Sequence, residues 1–301
     1  MGWKLIVALV SVCFLSILSF CYFLPLKTTD FGSTENGNFS SFSEADGGMQ
    51  FYPNMRFPET RITYRIFNCP LSKQNEMQIA FATLEDSTPL RFFSVEDDEE
   101  IFITCEEEMK SDGNLFIAGE GGPTKIIAVG TFAVILEGKI LLIQESSCSK
   151  PNIALHELLH VLGFEHSTNS GNIMYNITSC SQTMGEDIPE LLNKLYAIPS
   201  YADLGFKNVS ASLSGRFLDV DLSVVNVGLK SSDEFKIKIY ADKGFVKEIE
   251  VESIDMGYGK LLSLKNIWVS QVSVSELEIV IESNFEEINL ENNNINLTVN
   301  D

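Results

Sequence analysis

The sequence predicts an α+β domain followed by an all-β, immunoglobulin-like sandwich, with an apolar N-terminal helix in front of both. Three observations lead to this prediction. Residues 53–200 mix strand patterns with helical patterns, residues after 205 show only the strand period, and residues 5–24 carry no charged side chain. The chain has 301 residues, of which 45% are hydrophobic, so two packed cores of ordinary size are expected.

The apolar run at residues 5–24 is the first element. At about 1.5 Å per residue it spans about 30 Å, the thickness of a bilayer's hydrocarbon core. It is longer than the apolar part of a signal peptide and ends in aromatic residues, with no small-x-small cleavage site. Residues 1–27 are therefore expected to form a single-pass membrane anchor that places the rest of the chain outside the cell. A cleaved signal peptide and a secreted protein are the alternative.

Residues 28–52 are rich in Gly, Ser, Asn and Thr and show no hydrophobic period, which predicts a flexible linker. The α+β domain is expected at residues 53–201. Its predicted strands are residues 61–67, 91–95, 101–105, 126–135 and 139–144, with a turn at residues 119–123, where the sequence is GEGGP. Helices are expected where Met77, Ala80, Phe81 and Leu84 recur at helical spacing, from near Pro151, and from about 187 to 196.

Residues 202–301 form the predicted sandwich. Short alternating runs at residues 217–227, 235–239, 247–251, 277–281 and 295–299 predict antiparallel strands with one face exposed to water. About seven strands in about 100 residues are typical of this architecture.

Charge and cysteine content narrow the function. The formal net charge is −21, from 42 acidic and 21 basic residues, which argues against binding to nucleic acid phosphates. Four cysteines lie outside the apolar run: Cys69, Cys105, Cys148 and Cys180. An even number in an exported region predicts two disulfides, with three connectivities open, and free buried thiols are the alternative.

The strongest signal is the sequence HELLHVLGFEH at residues 156–166, which contains all three histidines of the chain. On a helix, His156 and His160 project from the same face, and Glu157 lies beside that face. Gly163 allows the chain to leave the helix sharply, so that His166 can approach as a third ligand. Three protein ligands with one open position are typical of a catalytic zinc site. Glu157 is then the expected general base.

Eight residues after His166, Met174 and Tyr175 end the segment SGNIMY. Together with the long histidine motif, this segment resembles the Met-turn of metzincin proteases, in which a methionine underlies the zinc. Ser167, the Met-Tyr pair and the segment at residues 186–188 make residues 53–200 most similar to the matrixins. The resemblance implies a metzincin-type α+β fold and a zinc metalloendopeptidase with one histidine-ligated zinc.

The resemblance also implies a disulfide pairing. In the matrixin sheet the first and third strands are parallel neighbours, and Cys69 and Cys105 would end them. This implies Cys69–Cys105 and leaves Cys148–Cys180. Calcium is a further candidate cofactor, at the acidic runs of residues 96–100 and 106–108, although a solvated loop explains such runs as well.

The C-terminal sandwich resembles CARDB domains, through Val225-Asn226-Val227-Gly228 and the ending EEINLENN at residues 286–293. That resemblance implies an adhesion or spacer module. The expected function is thus a membrane-anchored metalloendopeptidase that acts on extracellular or envelope proteins. The alternative is a surface adhesion protein with a vestigial protease domain.

Overall fold

A computed structural model describes residues 3, 12–14, 28–33, 48–106, 110–112, 115–143, 148–271 and 273–299. The helices are α1 (Leu71–Ser87), α2 (Asn152–Val161) and α3 (Asp187–Tyr196). The strands before the second domain are β1 (Thr28–Ser33), β2 (Met55–Arg56), β3 (Arg61–Phe67), β4 (Arg91–Ser94), β5 (Ile101–Cys105), β6 (Lys110–Asp112), β7 (Leu115–Ile117), β8 (Gly119–Val129) and β9 (Phe132–Leu142). The later strands are β10 (Leu204–Ser214), β11 (Phe217–Asn226), β12 (Phe235–Ala241), β13 (Gly244–Val251), β14 (Gly259–Trp268), β15 (Glu276–Glu282) and β16 (Asn294–Val299), with a 3-10 turn at Glu291–Asn293.

The first domain is built on a mixed sheet of six strands in the order β2-β9-β5-β3-β4, with β8 paired to β9. All of its pairs are parallel except β8 with β9, which is antiparallel. Alternate residues of the strands face a core shared with the helices. The predicted apolar face of α1 is confirmed, because Met77, Ala80, Phe81 and Leu84 are all buried there.

The predicted turn at residues 119–123 is wrong. Those residues begin β8, and the chain reverses instead at Gly130 and Thr131, inside the predicted strand 126–135. The glycines have another physical reason. A Cβ at Gly121 would lie 2.3 Å from the main-chain oxygen of Glu157, so the strand approaches α2 too closely for a side chain.

The second domain is a single antiparallel path of eight strands, in the order β13-β12-β15-β16-β1-β10-β11-β14. Strands from both halves of this path contribute to one core, as in a sandwich; β12, for example, buries Phe235, Ile237, Ile239 and Ala241 on one face. The five strand runs predicted from the sequence each coincide with a strand to within one residue at their ends or lie inside it, whereas β1, β10 and β14 were not predicted as separate elements.

The prediction of a flexible linker at residues 28–52 is wrong for its first part, because Thr28–Ser33 form strand β1. This strand lies between β10 and β16 and pairs with both of them. Phe31 is 2% exposed and belongs to the sandwich core, so burial of one aromatic side chain and two ladders of main-chain hydrogen bonds hold the segment in place. Residues 49–51 are also ordered against the first domain, where the amide of Phe51 donates to the Gly163 carbonyl.

Both disulfides are present, and the pairing implied by the matrixin resemblance is confirmed. Cys69–Cys105 joins the segments that follow β3 and end β5, which are parallel neighbours. Cys148–Cys180 joins the segment before α2 to the loop that follows Met174.

The predicted single-pass membrane location is corrected. Among the residues that the structure describes, no helix is both long enough and apolar enough to cross a bilayer. The run at residues 5–24 lies outside the described residues except for 12–14.

The two domains meet at the β8–β9 hairpin. Val129, Phe132 and Val134 form a small apolar cluster with Leu229 of the sandwich. The hairpin thus belongs to the first domain through its sheet and to the domain junction through its tip.

Candidate active site

Helix α2, whose residues are all buried, carries His156, Glu157 and His160. These are three of the four predicted zinc-ligand and catalytic residues. Pro151 stands at the N-cap of α2 and Leu162 at its C-cap, and Gly163, the next residue, has a φ of +95°. A Cβ at Gly163 would also lie 2.7 Å from the side chain of Met55. Because both the backbone conformation and the space demand glycine, Gly163 is what lets the chain turn and bring His166 back toward the helix.

The three histidines converge as predicted. Nε2 of His160 lies 3.0 Å from Nε2 of His156 and 3.2 Å from Nε2 of His166. Within the described ranges, these three form the one group of His, Cys, Asp or Glu side chains whose ligand atoms all lie within 4.8 Å of each other. His156 and His160 are buried, whereas His166 is exposed, so the cluster opens to solvent on the side of His166.

The opposite ring nitrogens show that this cluster suits a cation. His156 Nδ1 donates to the carbonyl of Ile173 at 2.7 Å, and His160 Nδ1 donates to the carbonyl of Phe164 at 2.8 Å. A carbonyl only accepts, so in the neutral rings the proton is on Nδ1 and Nε2 presents a lone pair. Lone pairs that face one another at about 3 Å repel unless a cation lies among them. The donor set of three imidazoles is one that zinc prefers.

Burial keeps two of these rings neutral. It lowers the pKa of His160 to about 4, with a further contribution from the neighbouring His156. Burial likewise lowers the pKa of His156. Both rings therefore present lone pairs at neutral pH, as metal binding requires.

Glu157 lies on the same helix, next to the histidines, and is 6% exposed. Burial, followed by repulsion from the carboxylate of Glu120, raises its pKa to about 8, whereas a cation among the histidines would act on this pKa in the opposite direction. Strand β8 covers this carboxyl: a Cβ at Gly119 would lie 2.8 Å from Glu157 Cγ and 2.9 Å from Oε1. The glycine therefore leaves the space that the carboxyl occupies.

The loop after His166 supports the cluster from the other side. Met174 is buried in the core of the first domain, and its carbonyl accepts the amide of Ser167 at 2.8 Å. Tyr175 forms an isolated bridge with Ser167, which holds the two arms of the loop together. The predicted support residues Gly163, Met174 and Tyr175 all lie in this turn or at its entrance.

A cavity of about 240 Å³ opens beside His166. Phe164, Met174 and Ile188 supply apolar walls, and Asp187 lies at its rim. The cavity thus lies between Met174 and the last helix, α3.

Several residues of the site escaped sequence reasoning. The carbonyls of Ile173 and Phe164 orient the rings, but a main-chain acceptor leaves no signal in residue type. Phe51 stacks on His160 with ring centroids 5.9 Å apart, although it lies in the expected linker. Gly119 and Gly121 did leave a signal, a glycine-rich run, which was assigned to a turn.

Calcium gains no support. Glu99 pairs with Arg65 at 2.7 Å, and the Glu100 carboxylate accepts the amide of Thr63 at 2.7 Å, so these two of the five carboxylates at residues 96–100 already have protein partners. Of the second run, only Glu106 lies within the described residues. No described cluster of carboxylates meets the ligand spacing that the histidines meet.

Two histidines of a buried helix and a third from the loop that follows it converge in this α+β domain. This arrangement is that of a zinc metalloprotease-like domain. In agreement, residues 56–196 match the family model described as Matrixin, and residues 202–297 match the model described as CARDB. The chain therefore combines a matrixin domain with a CARDB domain.

Comparison with curated proteins gives no match. Among solved structures, a CARDB domain from Pyrococcus furiosus, crystallised in complex with di-metal ions, is 16% identical, covers 33% of this chain and 93% of its own, and has a TM-score of 0.27.

Proposed function

We propose that the chain is a zinc metalloendopeptidase, in which His156, His160 and His166 hold the zinc and Glu157 is the general base. The observation that carries this proposal is the convergence of three imidazole nitrogens, two of them with lone pairs fixed by carbonyl acceptors, beside a buried carboxyl. Structural zinc sites are closed by four protein ligands, whereas three ligands with an open side suit catalysis.

Zinc held by His156, His160 and His166 would supply Lewis acidity, to activate water and to polarise the carbonyl of the scissile bond. Glu157 accepts the proton of the attacking water at its carboxylate and delivers it to the leaving amine nitrogen. The cover of β8 keeps bulk water away from this carboxyl, so its proton is exchanged with the reactants.

The substrate is proposed to be an extended polypeptide that pairs with the free edge of β8. Within the described residues this strand pairs only with β9, so its other edge offers main-chain donors and acceptors next to Glu157. The cavity beside His166 would take the side chain that follows the scissile bond.

The test is a peptidase assay with purified full-length chain on quenched fluorescent peptides and a protein library. Glu157→Gln should lower kcat by about 10²- to 10⁴-fold, since general acid–base catalysis contributes that much, and should leave the zinc content near one per chain. Glu190→Gln, an exposed acidic residue on α3, is the matched control and should retain activity. Chelator-sensitive activity that is unchanged in Glu157→Gln would contradict the mechanism.

The CARDB domain is compatible with a second candidate, an adhesion protein whose protease domain is vestigial. The retained Glu157 and the complete histidine cluster favour the enzyme. A zinc-loaded wild-type chain that cleaves nothing in the library, and that binds a partner through the sandwich alone, would favour adhesion.

A further inference from the structure

Strand β8 connects the candidate active site to the CARDB domain. Its first residues, Gly119 to Gly121, lie against Glu157. Its last residue, Val129, packs with Leu229 of the sandwich, and a Cβ at the next residue, Gly130, would lie 3.0 Å from the carbonyl oxygen of Val227. At about 3.3 Å per residue, the strand spans about 30 Å between these two points.

Over that distance β8 is paired, within the described residues, with β9 alone, so one edge of the strand is open. Gly119 and Gly121 pair with Leu142 and Ile140 of β9, which face the core of the first domain. Two bulges later, Ile126 pairs with Ile135, which faces the same core. The side chain of Ile126 is 36% exposed, so an apolar group stands on the same face as the catalytic carboxyl, further along the free edge.

At the far end of this edge lies a cavity of about 370 Å³ between the two domains. Ala128, Thr131 and Phe132 line it from the hairpin, and Lys207, Val225 and Val227 line it from the sandwich. Its volume lies within the range of ligand pockets, and its walls are mostly apolar, with Asp203 and Lys207 as the charged residues among them. Because Ala128 and Val129 at the end of β8 line the cavity, a chain paired along the edge of β8 would reach it.

We infer that this interdomain cavity is a distal substrate subsite, which binds an apolar side chain of the same polypeptide that is cleaved at the histidine cluster. The inference rests on the proposed peptidase function. The substrate main chain pairs with the edge of β8, and the side chain about nine residues from the scissile bond enters the cavity. The CARDB domain thereby contributes to substrate selection, and cleavage requires an extended segment of polypeptide.

The experiment compares peptides that share one cleavage sequence. A short peptide of about eight residues cannot reach the cavity, whereas peptides extended by about twelve residues on one side or the other can. For the full-length wild type, kcat/KM should rise about tenfold for one of the two extended series, provided that an apolar residue stands about nine positions from the scissile bond. Replacing that residue by serine should abolish the gain.

Two variants close the cavity without touching the catalytic residues. Lys207→Trp places a bulky side chain in it from an exposed position on β10, and Val227→Asp places a charge in its apolar wall. Either variant should return the extended peptide to the short-peptide value, mainly through KM, and leave the short peptide unchanged. Lys247→Trp, an exposed lysine on β13, is the matched control and should behave as wild type.

Retained cleavage of the short peptide without any gain from extension would overturn the subsite while leaving the peptidase proposal intact. An equal loss in Lys207→Trp and Lys247→Trp would also overturn it. Absence of cleavage of every peptide, with zinc bound, would overturn the proposed function and this inference with it.

Discussion

Replacing Gly119 by alanine should disable the peptidase while leaving its metal in place. The new Cβ would lie 2.8 Å from Glu157 Cγ and 2.9 Å from Oε1, whereas about 3.5–4 Å is the normal separation of such atoms. Because Glu157 is 94% buried, its carboxyl has little free space and must shift by close to 1 Å. A misplacement of about 1 Å in a catalytic group costs about 10²-fold in rate, or about 2.7 kcal/mol of activation free energy.

The assay follows kcat, KM, zinc content and thermal unfolding together. Gly119→Ala should lower kcat about 10²-fold, change KM little and keep about one zinc per chain, since the histidine ring nitrogens are held by carbonyls of Ile173 and Phe164. Gly122→Ala is the matched control, because a Cβ there meets no atom within 4 Å. If Gly119→Ala retains kcat within about twofold of Gly122→Ala, then the close approach of β8 does not position Glu157.

Three further outcomes are expected. Burial raises the pKa of Asp203 from 3.8 to about 6, so its protonated carboxyl stabilises the folded state below pH 4, and this contribution of about 3 kcal/mol is lost as the pH rises to 6. In Asp203→Asn, the free energy of unfolding measured in urea should therefore change less between pH 4 and 7 than it does in the wild type. An unchanged dependence of that free energy on pH would contradict this. Replacing Cys69 and Cys105 together by serine should lower the free energy of unfolding by about 3–4 kcal/mol, since the disulfide closes a loop with a sequence separation of 36. Equal stability of the reduced and the oxidised wild type would contradict this. Gly163→Ala should lower the free energy of unfolding by about 2 kcal/mol or more and weaken zinc binding through His166, because φ at this residue is +95° and Met55 fills the space next to it. A zinc affinity equal to that of the wild type would show that the turn does not place His166.

The histidine cluster could be predicted from the sequence because its geometry is local. A spacing of four on a helix fixes the relative direction of His156 and His160, and a glycine three residues later permits only a few paths for the chain toward His166. The buried face of α1 was predictable for the same reason. The disulfide pairing was not local, and it followed from the matrixin sheet order.

The glycine run of β8 was misjudged because glycine has two structural uses. It permits backbone conformations that other residues avoid, and it permits another segment to approach closely. The first use suggested a turn at residues 119–123, whereas the structure shows the second, against the helix that carries Glu157. Only the partner segment, distant in sequence, distinguishes these uses, so a single sequence leaves them open.

Strand β1 was missed because its pairing partners lie far away in the chain. Thr28–Ser33 inserts between β10 and β16, which begin at Leu204 and Asn294. The sandwich is thus completed by a segment that precedes the matrixin domain, and the matrixin domain is connected to the sandwich at both of its ends. The domains also pack together at the hairpin, where Val129, Phe132 and Val134 contact Leu229. This packed contact supports the cavity that a substrate subsite formed by both domains requires.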